Sequence, residues 1–467
     1  MNTLITRLQT MLLCSVLALC MLVAACSGGT NLAGGVGSGG SGVAEGAVSG
    51  FGSVIVAGVE YDDTNANVVV ENAQGQTEVT EAKLGQRVRI AHSKAGVADT
   101  IQVLPQLRGT ASSAQDGQGV FLLLGQTVQI VTTSDTQNTA TVLDGLTAVA
   151  SGDEVEVHGN WVFDSTRNYS VLMATRVEKL STAADPVVVS GVVRTRVYDV
   201  MTLDDATGQT LQYANLPTGL TAQSLITAWI PRSALGSSPW IATRVVDASP
   251  SLSENEHLVL NTQVSERDLA QGEIRVQGMR VKLTSNFSSA PPAVGSTVQI
   301  EIVREGNEFK AVALTQRQNG SDLGGSVELK GSLLWPANAT QLSLRGNLVN
   351  IPSTALDANC AGLHANDNVY LEISAQRVGP GQPLRATSVS CSLQIPKSSV
   401  LEVSGTLTQL STANKTMQLS TSNGALSLTW NSTTLLPPNL NSLLNHNIEV
   451  EYQTVNGENR LRKVKPD

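Results

Sequence analysis

Cys26 is the residue whose neighbours most directly specify chemistry. It closes the run Val23-Ala24-Ala25-Cys26 behind an apolar stretch from Met11 to Val23, and the segment before it carries a single charge, Arg7. Small residues ahead of a cysteine fit a peptidase that cuts there, leaving the thiol of Cys26 as the lipid attachment point. The apolar stretch is shorter than the ~20 residues that span a bilayer, so a cleaved lipoprotein signal is expected over residues 1–25. The alternatives are an uncleaved N-terminal anchor, or a secretory signal cut at another small residue. Acyl chains contribute roughly 0.8 kcal/mol per buried CH2, so several together hold a soluble body at a membrane.

Four further cysteines remain. Cys14 and Cys20 leave with the signal, and Cys360 and Cys391 fall close together in the C-terminal third. An oxidising compartment permits a disulfide between them, which on the chain-entropy argument stabilises by roughly 3 to 4 kcal/mol. Two unpaired thiols are the alternative, because sequence does not give the distance between their Cα atoms. A metal site is disfavoured, since His364 is the nearest further ligand and two cysteines with one histidine fall short of a tetrahedral set.

Other chemistry-bearing residues do not assemble. His92, His158, His257, His364 and His446 are scattered, and none sits in a two-ligand spacing. His92, His158 and His446 fall at strand ends or turns, where a solvated surface position is expected. No G-x-S-x-G elbow occurs. Asp63-x-Asn65-x-Asn67 imitates the start of a calcium loop, but Val68 replaces the required glycine and Gln74 the terminal glutamate. Gly35-x-Gly37-x-x-Gly40 has dinucleotide-fingerprint spacing without the strand and helix that give it meaning. Asn168, Asn286 and Asn338 lie in glycosylation-like triplets that carry no weight behind a bacterial lipoprotein signal. Among the five tryptophans, Trp161 and Trp335 are candidate ligand-binding aromatics, with core or rim packing the competing reading. No catalytic residue, metal or cofactor is therefore expected.

The elements that would position these residues are strands. Aromatic residues make up 3% of the chain and charged residues 15%, with valine, leucine, threonine, serine and glycine abundant. Residues 26–45 hold the lipidated cysteine and a Gly/Ser-rich tether with a reach of about 25 Å. The whole chain carries a net charge of -9, and loss of Arg7 with the signal makes it -10, which argues against a nucleic-acid partner.

Beyond the tether the sequence repeats. A polar turn followed by alternating apolar residues occurs at Leu84–Ile90, Ser151–Val157, Val294–Ile302, Asn366–Ile373 and His446–Tyr452, with a weaker form at Leu225–Ile230. The alternation sets Val, Ile and Leu on one face and mostly Arg, Glu and Gln on the other, as in a half-buried strand. After each comes a second strand signature, such as Ala174-Thr175-Arg176-Val177 or Ala386-Thr387-Ser388-Val389. Glycine recurs inside an opening strand at Gly50, Gly191, Gly331 and Gly405, and at hairpin centres at Gly58, Gly125, Gly278 and Gly346. Six matches predict six small barrels of the OB kind, over 46–106, 107–186, 187–257, 258–326, 327–399 and 400–467. A pair of large sandwiches is the alternative.

Gly50-Phe51-Gly52-Ser53-Val54-Ile55-Val56-Ala57-Gly58-Val59-Glu60-Tyr61-Asp62, with Ala66 and Val68, resembles the opening of bacterial envelope proteins classed as domain of unknown function 5666. Leu124–Val128, Gly152–Val157 and Ala174–Glu178 match the same pattern, so the resemblance covers residues 46 to 180. It implies an OB-like barrel on a secreted or lipid-anchored chain. By resemblance to enterobacterial lipoproteins, Ser27 after the cysteine points to the outer membrane. The expectation is an all-β, lipid-anchored tandem array, held at the membrane through its lipid and acting as a non-enzymatic binding or scaffolding protein for an envelope protein or glycan. Lateral contacts between successive barrels would be its means of action. A carbohydrate- or peptidoglycan-binding lipoprotein that uses the tryptophans is the alternative, and an enzyme of unrecognised type comes third.

Overall fold

The computed structural model describes residues 42–466, apart from 58, 64, 95, 133–139, 285, 286, 288–290, 317–325, 337, 338, 366, 394–399, 422, 423, 433, 438, 456 and 457. The signal, Cys26, the glycine triplet at 35–40, Gly58, Asn286, Asn338 and Asn366 lie outside the described residues. The chain is all-β. No helix among the described residues is long and apolar enough to cross a membrane.

The connectivity of the sixth unit is the clearest instance of the repeat. Its first strand, Val400–Ser411, pairs antiparallel with the second, Thr416–Thr421, which pairs with the third, Gly424–Thr429. The third runs parallel to the fifth, Glu458–Pro466, and the fifth pairs with the fourth, Asn447–Val455, which returns to the first. Strand order one-two-three-five-four, closing on one, is that of a five-stranded OB barrel, which hides its edges by closure. The same fourth-to-first and third-to-fifth pairings recur in the second unit, between Glu154–Asp164 and Leu107–Thr110 and between Gln126–Ile130 and Tyr169–Lys179. They recur in the fourth, between His257–Gln263 and Thr297–Glu305 and between Met279–Leu283 and Glu308–Gln316. In four units the pairing of fourth and fifth strands slips by one residue, at His158/Gly159, Glu301/Ile302, Ser374/Ala375 and Glu451/Tyr452. Such a bulge bends the ribbon around its barrel.

The recurrent glycines have two physical causes. At Leu124-Gly125, Gln277-Gly278 and Arg345-Gly346 both residues of the two-residue hairpin have positive φ, the type I′ turn that suits twisted strands. In the opening strands a glycine admits the neighbouring hairpin: a Cβ on Gly331 would stand 3.0 Å from Leu344, and one on Gly109 2.9 Å from Leu124.

Two expectations need correction. The first strand of the first unit is Gly42–Phe51, so residues 42–45, assigned by composition to the tether, belong to the barrel; Ala44 and Glu45 are buried, and backbone pairing holds them. The units also do not meet only as successive neighbours. Gly42–Glu45 pair in parallel with His257–Leu260 of the fourth unit, and Gly50 and Phe51 pair in parallel with Glu328 and Leu329 of the fifth. Ser332 of the fifth unit then pairs with Leu401 of the sixth, while Val188 and Val189 of the third pair with Arg108 and Leu107 of the second. Every one of these inter-unit pairings joins a first strand to a first strand. Packing follows suit: the first and fifth units share one apolar core, as do the second and third, whereas the fourth and sixth each have their own.

Candidate functional site

Cys360 and Cys391 come together in a disulfide with Cα atoms 5.1 Å apart. Beside them the Asp357 carboxylate accepts the backbone N–H groups of Asn359 and Cys360, as a short-helix cap. With both sulfurs bonded to each other, no thiolate remains there for a metal. Trp161, 4% exposed, donates its indole N–H to Gln106 at 3.2 Å, and Trp335 is 7% exposed within the core of the first and fifth units. Neither presents a ring face to solvent, so the aromatic-platform expectation gives way to core packing. Asp63, the head of the calcium-like triplet, is buried and bonded to Arg462 at 3.1 Å. Burial raises its pKa, but Arg462 and then Arg345 outweigh that and hold the carboxyl below its usual range.

His92 and His158 are also buried rather than solvated, whereas His446 is exposed. His158 belongs to a polar network where the first, second and fourth units meet. The backbone N–H of Arg87 donates to His158 Nδ1 at 3.3 Å, so Nε2 is the protonated nitrogen that donates to Glu156 at 2.9 Å. Arg108 reaches the same carboxylate at 2.7 Å. The Arg87 guanidinium bonds both Glu45 and Asn160, and Arg89 bonds Glu45 at 2.8 Å. Gln277 of the fourth unit reaches Asn160 at 3.3 Å. The Arg87 and Glu45 side chains are each 2% exposed, while Arg89 and Arg108 are 24% and 33% exposed and line, with Trp229 and Val246, a cavity of about 140 Å³. The bonds of Arg87 to His158 and Asn160 fix how the first and second units dock.

A larger concavity lies where Glu81–Leu84 of the first unit faces the second, fifth and sixth. Two chambers, of about 180 and 360 Å³, share Glu81, Ala82, Arg345 and Lys463 as a common wall. The smaller is completed by Asp63, Asn67, Asn431, Glu451, Arg460 and Arg462. The larger is completed by Lys83, Asp144, Arg176, Arg377 and apolar residues including Leu84, Leu143 and Leu384. Seven Lys and Arg side chains against four Asp and Glu make this groove cationic on an anionic protein.

Most of these charges are spoken for. Lys463 bonds Glu81 at 2.5 Å, Lys83 bonds Glu178, and Arg176 bonds Asp144 and Glu178. Arg377 differs, with the Ala140 carbonyl at 3.2 Å as its hydrogen-bond partner and a buried Nε that has none. Burial, followed by the charge of nearby Arg176, pushes the Arg377 pKa down to about 10. Arg345 lies over the Phe51 ring at 5.5 Å, and Nη1 of Arg462 is a further buried N–H group without a partner. No family model matches the chain, and no curated protein matches it.

Sequence reasoning missed this groove because its walls come from four units. One local signal was available. The fourth and fifth strands of the fifth unit are joined by Arg377–Pro383, seven residues with two glycines and two prolines, where the fourth unit uses the two residues Gly306 and Asn307. An enlarged loop on a rigid scaffold is where binding residues concentrate.

Proposed function

We propose that this chain is a lipid-anchored binding or scaffolding protein of the bacterial envelope, carrying no catalytic activity and offering its outer barrel faces and inter-unit groove to an envelope partner. The observation that carries this reading is the joining of first strands across the fourth, first, fifth and sixth units, reinforced by the buried network at Glu45, Arg87 and Glu156. Units tied by backbone pairing and by the hydrogen bonds of Arg87 and Gln277 to His158 and Asn160 hold their surfaces at fixed spacing, which suits a scaffold. His158 and Glu156 are buried and bonded to each other, with Arg108 on the same carboxylate, an arrangement that serves docking between units. Resemblance to the domain of unknown function 5666 pattern and the signal ahead of Cys26 supply the compartment. Because Trp161 and Trp335 are buried, a glycan site built on those two rings has no support in the geometry.

Cross-linking in living cells with Cys26 intact, followed by mass spectrometry, tests this. A specific envelope protein recovered in quantity, and lost with a Cys26→Ala chain that leaves the membrane fraction, is the expected result. Recovery of abundant neighbours alone, or a Cys26→Ala chain that stays at the membrane, overturns it.

A further inference from the structure

The larger chamber contains something the scaffold reading does not use. A guanidinium buried without a carboxylate is costly, and proteins keep such groups where a ligand completes them. Among the described residues, Arg377 has no ion-pair partner, and the charge that acts on it is that of another cation, Arg176, which is itself bonded to Asp144 and Glu178. Arg345 lines both chambers; its guanidinium lies over Phe51 and its charge acts on Asp63, with no hydrogen bond from its guanidinium among the described residues. A guanidinium with a buried N–H to spare on the chamber wall, with a second arginine at the partition between the two chambers, suits an oxyanion. The remaining wall combines Leu84 and Leu384, against which the C–H face of a ring would pack, with the exposed amide of Gln382 at the mouth. At about 360 Å³ the chamber lies within the size range of small-ligand sites and excludes a folded partner.

We propose that this chamber binds an oxyanion borne on a sugar-sized body, with Arg377 and Arg345 as its anion-holding residues. The carboxylate of an acidic sugar and the phosphate of a phosphorylated one share this chemistry. The site goes beyond the scaffold reading and does not depend on the lipid or on a protein partner.

The test is calorimetric titration and thermal melting of the purified full chain with sodium glucuronate, with inorganic phosphate, and with glucose as the neutral control. Expected are saturable binding of glucuronate with a rise in melting temperature, no response to glucose, and weakening by about ten- to a hundredfold in Arg377→Gln and in Arg345→Gln. Saturation by phosphate in place of glucuronate supports the same oxyanion site and assigns its source to phosphate. Ligand-free Arg377→Gln melts no lower than the parent, because a neutral amide that still donates to Ala140 replaces an uncompensated charge. Failure of both anions to saturate the parent, or unchanged affinity in Arg377→Gln, overturns the proposal. So does a lowered melting temperature of ligand-free Arg377→Gln, which would make Arg377 a structural tie.

Discussion

Removing the Cys360–Cys391 disulfide tests whether the first and fifth units stand or fall together. The bond closes a loop with a sequence separation of 31, for which the chain-entropy relation gives about 3.5 to 4 kcal/mol. In Cys360→Ala/Cys391→Ala that stabilisation is lost from the fifth unit. Val327, Leu329, Leu344 and Leu371 of that unit pack in the same core as Val48, Val54 and Tyr61 of the first, so loosening one uncovers the other. A single cooperative step for the pair, lowered by roughly 10 °C, is therefore expected in calorimetry of the double variant. Hydrogen exchange should speed up over 44–61 as well as over 326–392, and reducing agent should reproduce both effects in the parent. An unchanged melting temperature would refute the contribution of the bond. Faster exchange confined to 326–392, with 44–61 still protected, would refute the shared core.

Three other outcomes follow from the buried network and from the strand pairing between units. Glu45→Gln strands the Arg87 guanidinium in a site where it is 2% exposed, so urea unfolding should register a loss of about 3 to 5 kcal/mol, most of it recovered in Glu45→Met/Arg87→Met; a loss below about 1 kcal/mol would contradict the network. Burial raises the pKa of Glu156, but His158 and Arg108 overcome it and bring the group from 4.5 down to about 2. A folded-state pKa below the unfolded one means stability that is complete above pH 4.5 and lost as pH falls towards 2; unfolding midpoints should drop across that window in the parent and less steeply in Glu156→Gln. In Gly50→Val the new Cβ would run into the Glu328 carbonyl oxygen and stand 2.9 Å from the Ile55 Cδ1, opening the parallel pair between the first and fifth units. A cost of about 1 to 3 kcal/mol is expected, with faster amide exchange at Leu329, while Gly117→Val, with open space around it, serves as the neutral control.

What the sequence reveals here depends on range. Hairpins centred on Gly125, Gly278 and Gly346, the alternating fourth strands and the strands that follow them are local patterns, and all are legible because turn geometry and two-residue periodicity act over a few positions. The meaning of the polar face was not legible. Arg87, Glu156, Gln299, Glu301, Glu451 and Gln453 alternate with apolar residues as solvent-facing side chains would, yet they are buried. Several are met by other units: Gln299 donates to the Ala57 carbonyl at 2.5 Å, and Arg87 bonds Asn160. Alternation distinguishes apolar from polar, and it does not distinguish water from a polar neighbour. The groove failed for a related reason, since Lys83, Arg176, Arg345, Arg377 and Lys463 are separated by up to hundreds of residues and no local spacing links them.

The strand Gly42–Phe51 also governs how the protein is made. It emerges first, yet its partners His257–Leu260 and Glu328–Leu329 lie about 215 and 280 residues further along, and at synthesis rates of ~5 to 20 residues per second they trail it by roughly 10 to 60 s. During that interval both ends of the strand expose unpaired backbone groups, a template for wrong pairing with another nascent chain. Biogenesis must therefore keep the N-terminal barrel shielded until the fourth and fifth have been made. A chain cut short before residue 257 would have no means of completing its founding strand.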